Sequence, residues 1–112
     1  MLDRSLEMNM LFDFYSELLT AKQKEVLQYY YQENFSLQEI ANVSGTTRQG
    51  VFELLKRTEA ILLDYEAKLK LLHKHFNKLA IQEQIQDYVC TLNLNHEQNQ
   101  YLSEQIARLT EI

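Results

Sequence analysis

The chain has 112 residues and a mass of 13.4 kDa, enough for one compact domain or a small domain with an appendage, and too little for a transmembrane array or a multidomain enzyme. It has no proline and two glycines while 46% of its residues are apolar, so there is a core to bury but almost no turn residues for joining many strands, and the fold class is all-α. Lys and Arg total 11 against 16 Asp and Glu, a net charge of −5, which argues against non-specific coating of nucleic acid and against anionic membrane surfaces but leaves room for a local basic face.

The charge is uneven. Residues 1–34 sum to −3, residues 35–75 to +1 and residues 76–112 to −3, so only the middle third can face an anion. The single Cys90 has no partner for an internal disulfide, as expected of a reduced, intracellular protein. Acids interrupt the apolar residues at the start, and no run approaches the roughly 20 apolar residues of a membrane span. These features place the protein in the cytoplasm, without a membrane partner.

Leu6, Met10, Phe14 and Leu18, with Leu11 beside them, recur at helical spacing and predict a first helix over residues 4–19. Thr20 with Gln23 forms a capping box for a second helix running to about position 31, with Val26, Leu27 and Tyr30 on one face. Ser36 with Glu39 opens a third, short helix that turns Leu37, Ile40 and Ala41 inward and stops near Val43. Ser44, Gly45 and Thr46 then form a break in which Gly45 can take positive φ, and Thr47 can cap a fourth helix.

No breaker appears from Arg48 until about Asn77. Val51, Leu55, Thr58, Leu62, Tyr65, Leu69, Leu72 and Phe76 are separated by 4, 3, 4, 3, 4, 3 and 4 residues, a heptad pattern that predicts one long helix. Such a helix would be about 43 Å long, against a globule roughly 33–35 Å across for this chain length. Its seam of Leu62, Tyr65, Leu69, Leu72 and Phe76 must therefore be covered by the chain's own tail or by a second subunit. Ile81, Ile85, Tyr88, Val89 and Leu92 mark another helix, and Asn95 with Gln98 caps a last one bearing Leu102, Ile106 and Leu109. The expected domains are 1–76, a helix-turn-helix with an extended helix, and 77–112, a helical tail.

Two capped helices joined by a glycine turn form the arrangement that sets its second helix in the major groove of DNA. The residues Leu19-Thr20-Ala21-Lys22-Gln23-Lys24-Glu25-Val26-Leu27, Ser36-Leu37-Gln38-Glu39-Ile40-Ala41, Thr47-Arg48-Gln49-Gly50-Val51 and Leu55-Lys56-Arg57 resemble the fourth region of bacterial sigma factors. With Thr58-Glu59 and Asp64-Tyr65-Glu66-Ala67-Lys68-Leu69 the chain is more similar still to the YlxM-type helix-turn-helix proteins of low-GC Gram-positive bacteria, over about residues 5–76. The resemblance implies an all-helical regulator linked to the signal recognition particle pathway, because members of the family are encoded beside the particle's protein or its receptor. Relatives usually carry Ser and Ala where this chain has Thr47 and Gly50. Thr keeps the cap, and Gly costs up to about 1 kcal/mol against Ala in the first turn.

On this reading Arg48 and Gln49 reach base edges, Arg for guanine and Gln for adenine, and Glu53 one turn on accepts from cytosine. Ser36, Gln38, Thr47, Lys56 and Arg57 contact phosphate, the first and third through helix N-termini. Two copies on one duplex would strengthen a site with so few cations, which favours a homodimer. The bland alternative makes Arg48, Lys56 and Arg57 a solvated face with Glu53 and Glu59. A second functional reading is a helical adaptor docking on a component of the signal recognition particle or of RNA polymerase.

The aromatic cluster Tyr29, Tyr30, Tyr31 and Phe35 reads as core with wet hydroxyls rather than a stacking platform. Cys90 reads as a buried small hydrophobe. His73 and His75, two apart, point to different helix faces and suggest no metal site. Without a phosphate-cradling glycine loop or a nucleophile and base at working spacing, no cofactor and no catalysis are expected.

Overall fold

Three of the helix starts rest on reciprocal hydrogen bonds. In the computed structural model, which describes residues 3–111, the Thr20 hydroxyl accepts from the Gln23 N–H while the Gln23 side chain accepts from the Thr20 N–H. Ser36 with Glu39 and Asn95 with Gln98 do the same, each pair satisfying two donors that a helix start leaves unpaired. Between these signals run α1 (Arg4–Tyr15), α2 (Ala21–Leu27), α3 (Leu37–Ser44), α4 (Arg48–Leu69), α5 (Leu71–Thr91) and α6 (His96–Arg108). Short 3₁₀ turns cover Ser16–Leu18 and Leu109–Glu111, and a π-helical turn covers Gln28–Gln32. No strand occurs among the described residues, so the protein is all-α.

The chain divides into two compact units, one through Leu72 and one from His73 onward. In the first, α1, α2 and α3 all pack on α4. The core is built from Met8, Leu11 and Tyr15 of α1, Val26 and Leu27 of α2, Ile40 and Ala41 of α3, and Val51, Leu55 and Leu62 of α4, closed by Leu19 and Leu72. In the second, the Gln82 amide donates to the Ile106 carbonyl and the Gln86 amide to the Ser103 hydroxyl, which ties α6 antiparallel to α5. Val89 is buried there, whereas Ile81, Tyr88, Leu92 and Tyr101 are exposed.

Several expectations are corrected. The face of α1 that is buried carries Met8, Leu11 and Tyr15, while Leu6 is 46% and Leu18 53% exposed. A row spaced by four drifts about 40° per step on a helix of 3.6 residues per turn; the spacing of three and then four holds one direction. The first helix also ends at Tyr15, not at position 19. The buried Glu59, 2% exposed, is no part of a solvated face, and Cys90 is exposed. The tyrosine cluster does pack against the core as expected, with the Tyr29 ring stacked on Phe35 and Tyr31 meeting Tyr30 edge-on, but the Tyr31 hydroxyl is bonded to Glu59.

The largest correction concerns the long helix. It breaks at Lys70, which takes the left-handed conformation at φ 56° and ψ 33° and closes α4 through its N–H to the Glu66 carbonyl. Helix α5 then runs through the expected stop near Asn77 to Thr91. No residue at the break demands it. The Tyr15 hydroxyl donates to Glu66 Oε1 at 2.7 Å and accepts the Leu71 N–H at 3.1 Å, and Glu66 Oε1 also accepts the Leu72 N–H at 3.0 Å. Two orphan donors of the new helix are thus satisfied from α1 and α4, and the Tyr15 ring stacks on Tyr65 at 5.8 Å.

Both the break and the buried tyrosines can be tested. Left-handed backbone costs a non-glycine residue about 1–2 kcal/mol, and glycine loses roughly 0.5–1 kcal/mol more entropy on folding. Lys70→Gly should therefore leave stability unchanged or raise it by up to about 1.5 kcal/mol in denaturant unfolding; a clear loss would show that the break is not locked as described. Burial and then the Glu59 carboxylate hold the Tyr31 hydroxyl neutral and push its pKa up to about 12, while burial and Glu66 raise that of Tyr15. Since these folded-state values are raised, their contribution to stability is complete below the ordinary value of about 10 and is lost as pH climbs through the folded values. Ultraviolet titration of the native protein should show a late-ionising tyrosine class that Tyr31→Phe diminishes; one transition near the ordinary value would contradict this.

Candidate nucleic-acid interface

The turn between α3 and α4 is fixed by local chemistry. Gly45 sits at φ 70° and ψ 28°, its N–H bonded to the Ala41 carbonyl, and the Thr46 N–H reaches the same carbonyl at 3.1 Å. These bonds end α3 in a left-handed cap that glycine adopts without steric penalty. Thr47 then starts α4, its hydroxyl accepting from the Gly50 N–H at 3.0 Å. A Cβ at position 50 would lie 3.1 Å from the Thr47 hydroxyl oxygen, so the glycine leaves that cap uncrowded.

Because Val51, Leu55, Thr58 and Leu62 of α4 are buried, the opposite side of the helix faces solvent. Arg48, Gln49, Glu53, Lys56 and Arg57 are all exposed. The Gln49 amide donates to Glu53 Oε1 at 3.3 Å, so these two groups are held together one turn apart. Lys56 lies with its ammonium 5.7 Å from the centroid of the Phe52 ring and 3.5 Å from Glu59. On α3, the Gln38 amide donates to Asn42 Oδ1 at 3.0 Å.

Ser36 and Thr47 both use their hydroxyl oxygens as acceptors in caps. A hydroxyl that accepts still carries a hydrogen to donate; that of Thr47 is left for an external oxygen, whereas that of Ser36 goes to the Glu39 carboxylate. The Glu39 carboxylate accepts from the Ser36 N–H, which together with the Ser36 hydroxyl holds its pKa below the usual carboxylate range. Ser36, Glu39 and Lys56 line one concavity of about 770 Å³ with Arg4, Tyr30 and Phe35. Two of the expected phosphate contacts are therefore neighbours, and Arg4 joins them.

Nothing in the spacing of the chain points to Arg4, 32 positions before Ser36; it arrives through the packing of α1. Its guanidinium stands 3.5 Å from Glu59 and is largely solvent-exposed. Glu59 itself accepts from the Tyr31 hydroxyl at 2.9 Å, so a buried carboxylate gathers α1, the π-helical turn and α4 beneath the concavity. Of the seam residues, Leu62 and Leu72 belong to the core of the first unit, Tyr65 is half-buried, and Leu69 and Phe76 are exposed. Among the described residues no group of His, Cys, Asp and Glu side chains is placed to hold a metal ion, and no helix is long and apolar enough to cross a membrane.

Comparison with known proteins agrees with this geometry. Residues 2–106 match the family model described as "Putative helix-turn-helix protein, YlxM / p13 like". A UPF0122 protein of Halalkalibacterium halodurans is 48% identical over 89 residues, covering 80% of this chain and 82% of that relative. One of Streptococcus gordonii is 39% identical over 111 residues, covering 99% of this chain and 94% of the relative. One of Listeria innocua is 38% identical over 109 residues, covering 97% and 99%. With a family model spanning nearly its whole length and relatives matched from end to end, the chain belongs to the YlxM / p13-like helix-turn-helix family.

Proposed function

We propose that this protein is a cytoplasmic regulator that binds duplex DNA by presenting the start of α4 to the major groove. The observation that carries the reading is the pairing of the Gly45 turn with the exposed Arg48, Gln49 and Glu53 just beyond it. A helix entering the groove uses its N-terminal residues for base edges, and these three have the donors and acceptors for guanine, adenine and cytosine. Ser36, Gln38, Thr47, Lys56 and Arg57 serve the phosphates, with Arg4 as a further cation beside Ser36 and Lys56. No catalytic step and no cofactor enter this reading.

The net charge of −5 makes a single copy a weak binder. A homodimer supplies two recognition helices to half-sites one helical turn apart, and Phe76, Ile81 and Tyr88 of the second unit are among the exposed apolar residues that a second copy would cover. The same exposure favours one other reading, a helical adaptor that docks on a component of the signal recognition particle or of RNA polymerase. The two readings separate by salt. Pull-down of those components should survive salt that strips a phosphate clamp if apolar docking is the function.

Titration of the full-length protein with a randomised duplex library is expected to show binding whose salt slope is about −3 to −4 for each copy bound. Arg48→Ala or Gln49→Ala should each weaken the enriched site roughly fivefold to 150-fold, the value of one bidentate base contact. Lys56→Ala should instead weaken all sequences alike and flatten the slope by about 1. Absence of duplex affinity at low salt, or binding indifferent to both base-reading substitutions, overturns the proposal.

A further inference from the structure

Phe52 is 40% exposed on a flank of α4, beside the stripe that buries Val51, Leu55, Thr58 and Leu62. It contributes nothing to the core cluster of the first unit. At 100° per residue it lies on the same edge as Arg48, one turn before it, and Lys56, one turn after it. The Lys56 ammonium approaches its ring at 5.7 Å from the centroid, while Gln49 and Glu53 are held to one another on the adjoining row. An apolar ring is thus set between a guanidinium and an ammonium, within the stretch of helix whose polar side chains have base-reading groups.

Resting on the DNA-binding reading above, we infer that Phe52 is a specificity-determining residue that reads the C5-methyl group of a thymine. In the major groove thymine alone presents a methyl, and an apolar side chain distinguishes it by contact rather than by hydrogen bonding. Arg48 before it and Lys56 after it have the reach to hold phosphate or guanine on either side, which keeps the ring against the base edges. The site read by α4 then contains a thymine next to the purines addressed by Arg48 and Gln49.

The test uses the full-length protein and the duplex enriched from the randomised library. Deoxyuridine, which lacks only the methyl, replaces each thymidine in turn. One replacement in a single half-site should weaken wild-type binding about fourfold, the transfer value of a single methyl group. Phe52→Ala should bind the thymidine and deoxyuridine duplexes within experimental error of each other, and Phe52→Leu should retain most of the discrimination. Part of the Phe52 ring is covered, so Phe52→Ala should lose some stability but keep a cooperative unfolding transition above the assay temperature, which excludes misfolding as the cause. Binding insensitive to deoxyuridine at every position, or methyl dependence that persists in Phe52→Ala, overturns the assignment and leaves DNA binding standing. Failure of the library to yield any bound duplex removes both.

Discussion

Two carboxylates seven residues apart on α4 organise the first unit. Glu59 takes the Tyr31 hydroxyl and faces Arg4 and Lys56; Glu66 takes the Tyr15 hydroxyl and the Leu72 N–H. Separation by seven residues puts both acids on one side of the helix, so α1 and the π-helical turn are drawn to a common face. Burying a carboxylate is costly unless it is paired and hydrogen-bonded, and each acid meets several donors. The arrangement is also directional. Apolar side chains of similar size slide past one another, whereas a tyrosine hydroxyl aimed at a carboxylate sets both register and rotation.

That rotation is what exposes the candidate interface. With Val51, Leu55, Thr58, Glu59 and Leu62 turned inward, the remaining side of α4 is left to Gln49, Glu53 and Arg57, flanked by Arg48, Phe52 and Lys56. The short α3 is held at a fixed angle by the Gly45 cap and by Ile40 and Ala41 in the core. The packing of α1, α2 and α3 on α4 thus fixes which polar side chains of α4 face outward. The chain's acidic balance limits affinity for any polyanion.

The junction after α4 shows local preference losing to tertiary contact. The sequence around Lys70 is made of good helix formers and continues an apolar heptad, yet the backbone leaves the helix there for one residue. Holding Lys70 in the left-handed region is unfavourable. Offsetting it are the Tyr15 and Glu66 bonds to the first N–H groups of α5 and the burial of Leu72 in the core. These partners cannot be recognised as caps from the order of residues: Tyr15 is separated from Leu71 by 56 positions.

Features governed by neighbours along the chain were legible from the residues alone. The capping boxes at Thr20, Ser36 and Asn95, the Thr47 cap, the left-handed Gly45 and the helical class all involve groups within a few residues of each other, where hydrogen-bond geometry leaves little choice. So was the exposure of Gln49 and Glu53, since the buried residues Val51, Leu55, Thr58 and Leu62 repeat at helical spacing on the other side; Arg48 falls on that same repeat and is exposed because it is the first residue of the helix. Tertiary structure alone decided which face of α1 is buried, the fate of Glu59, the arrival of Arg4 beside Ser36 and Lys56, and the break at Lys70. Each of these is settled by a partner dozens of residues away, and a one-dimensional pattern records the period of a helix but not the direction from which another helix will meet it.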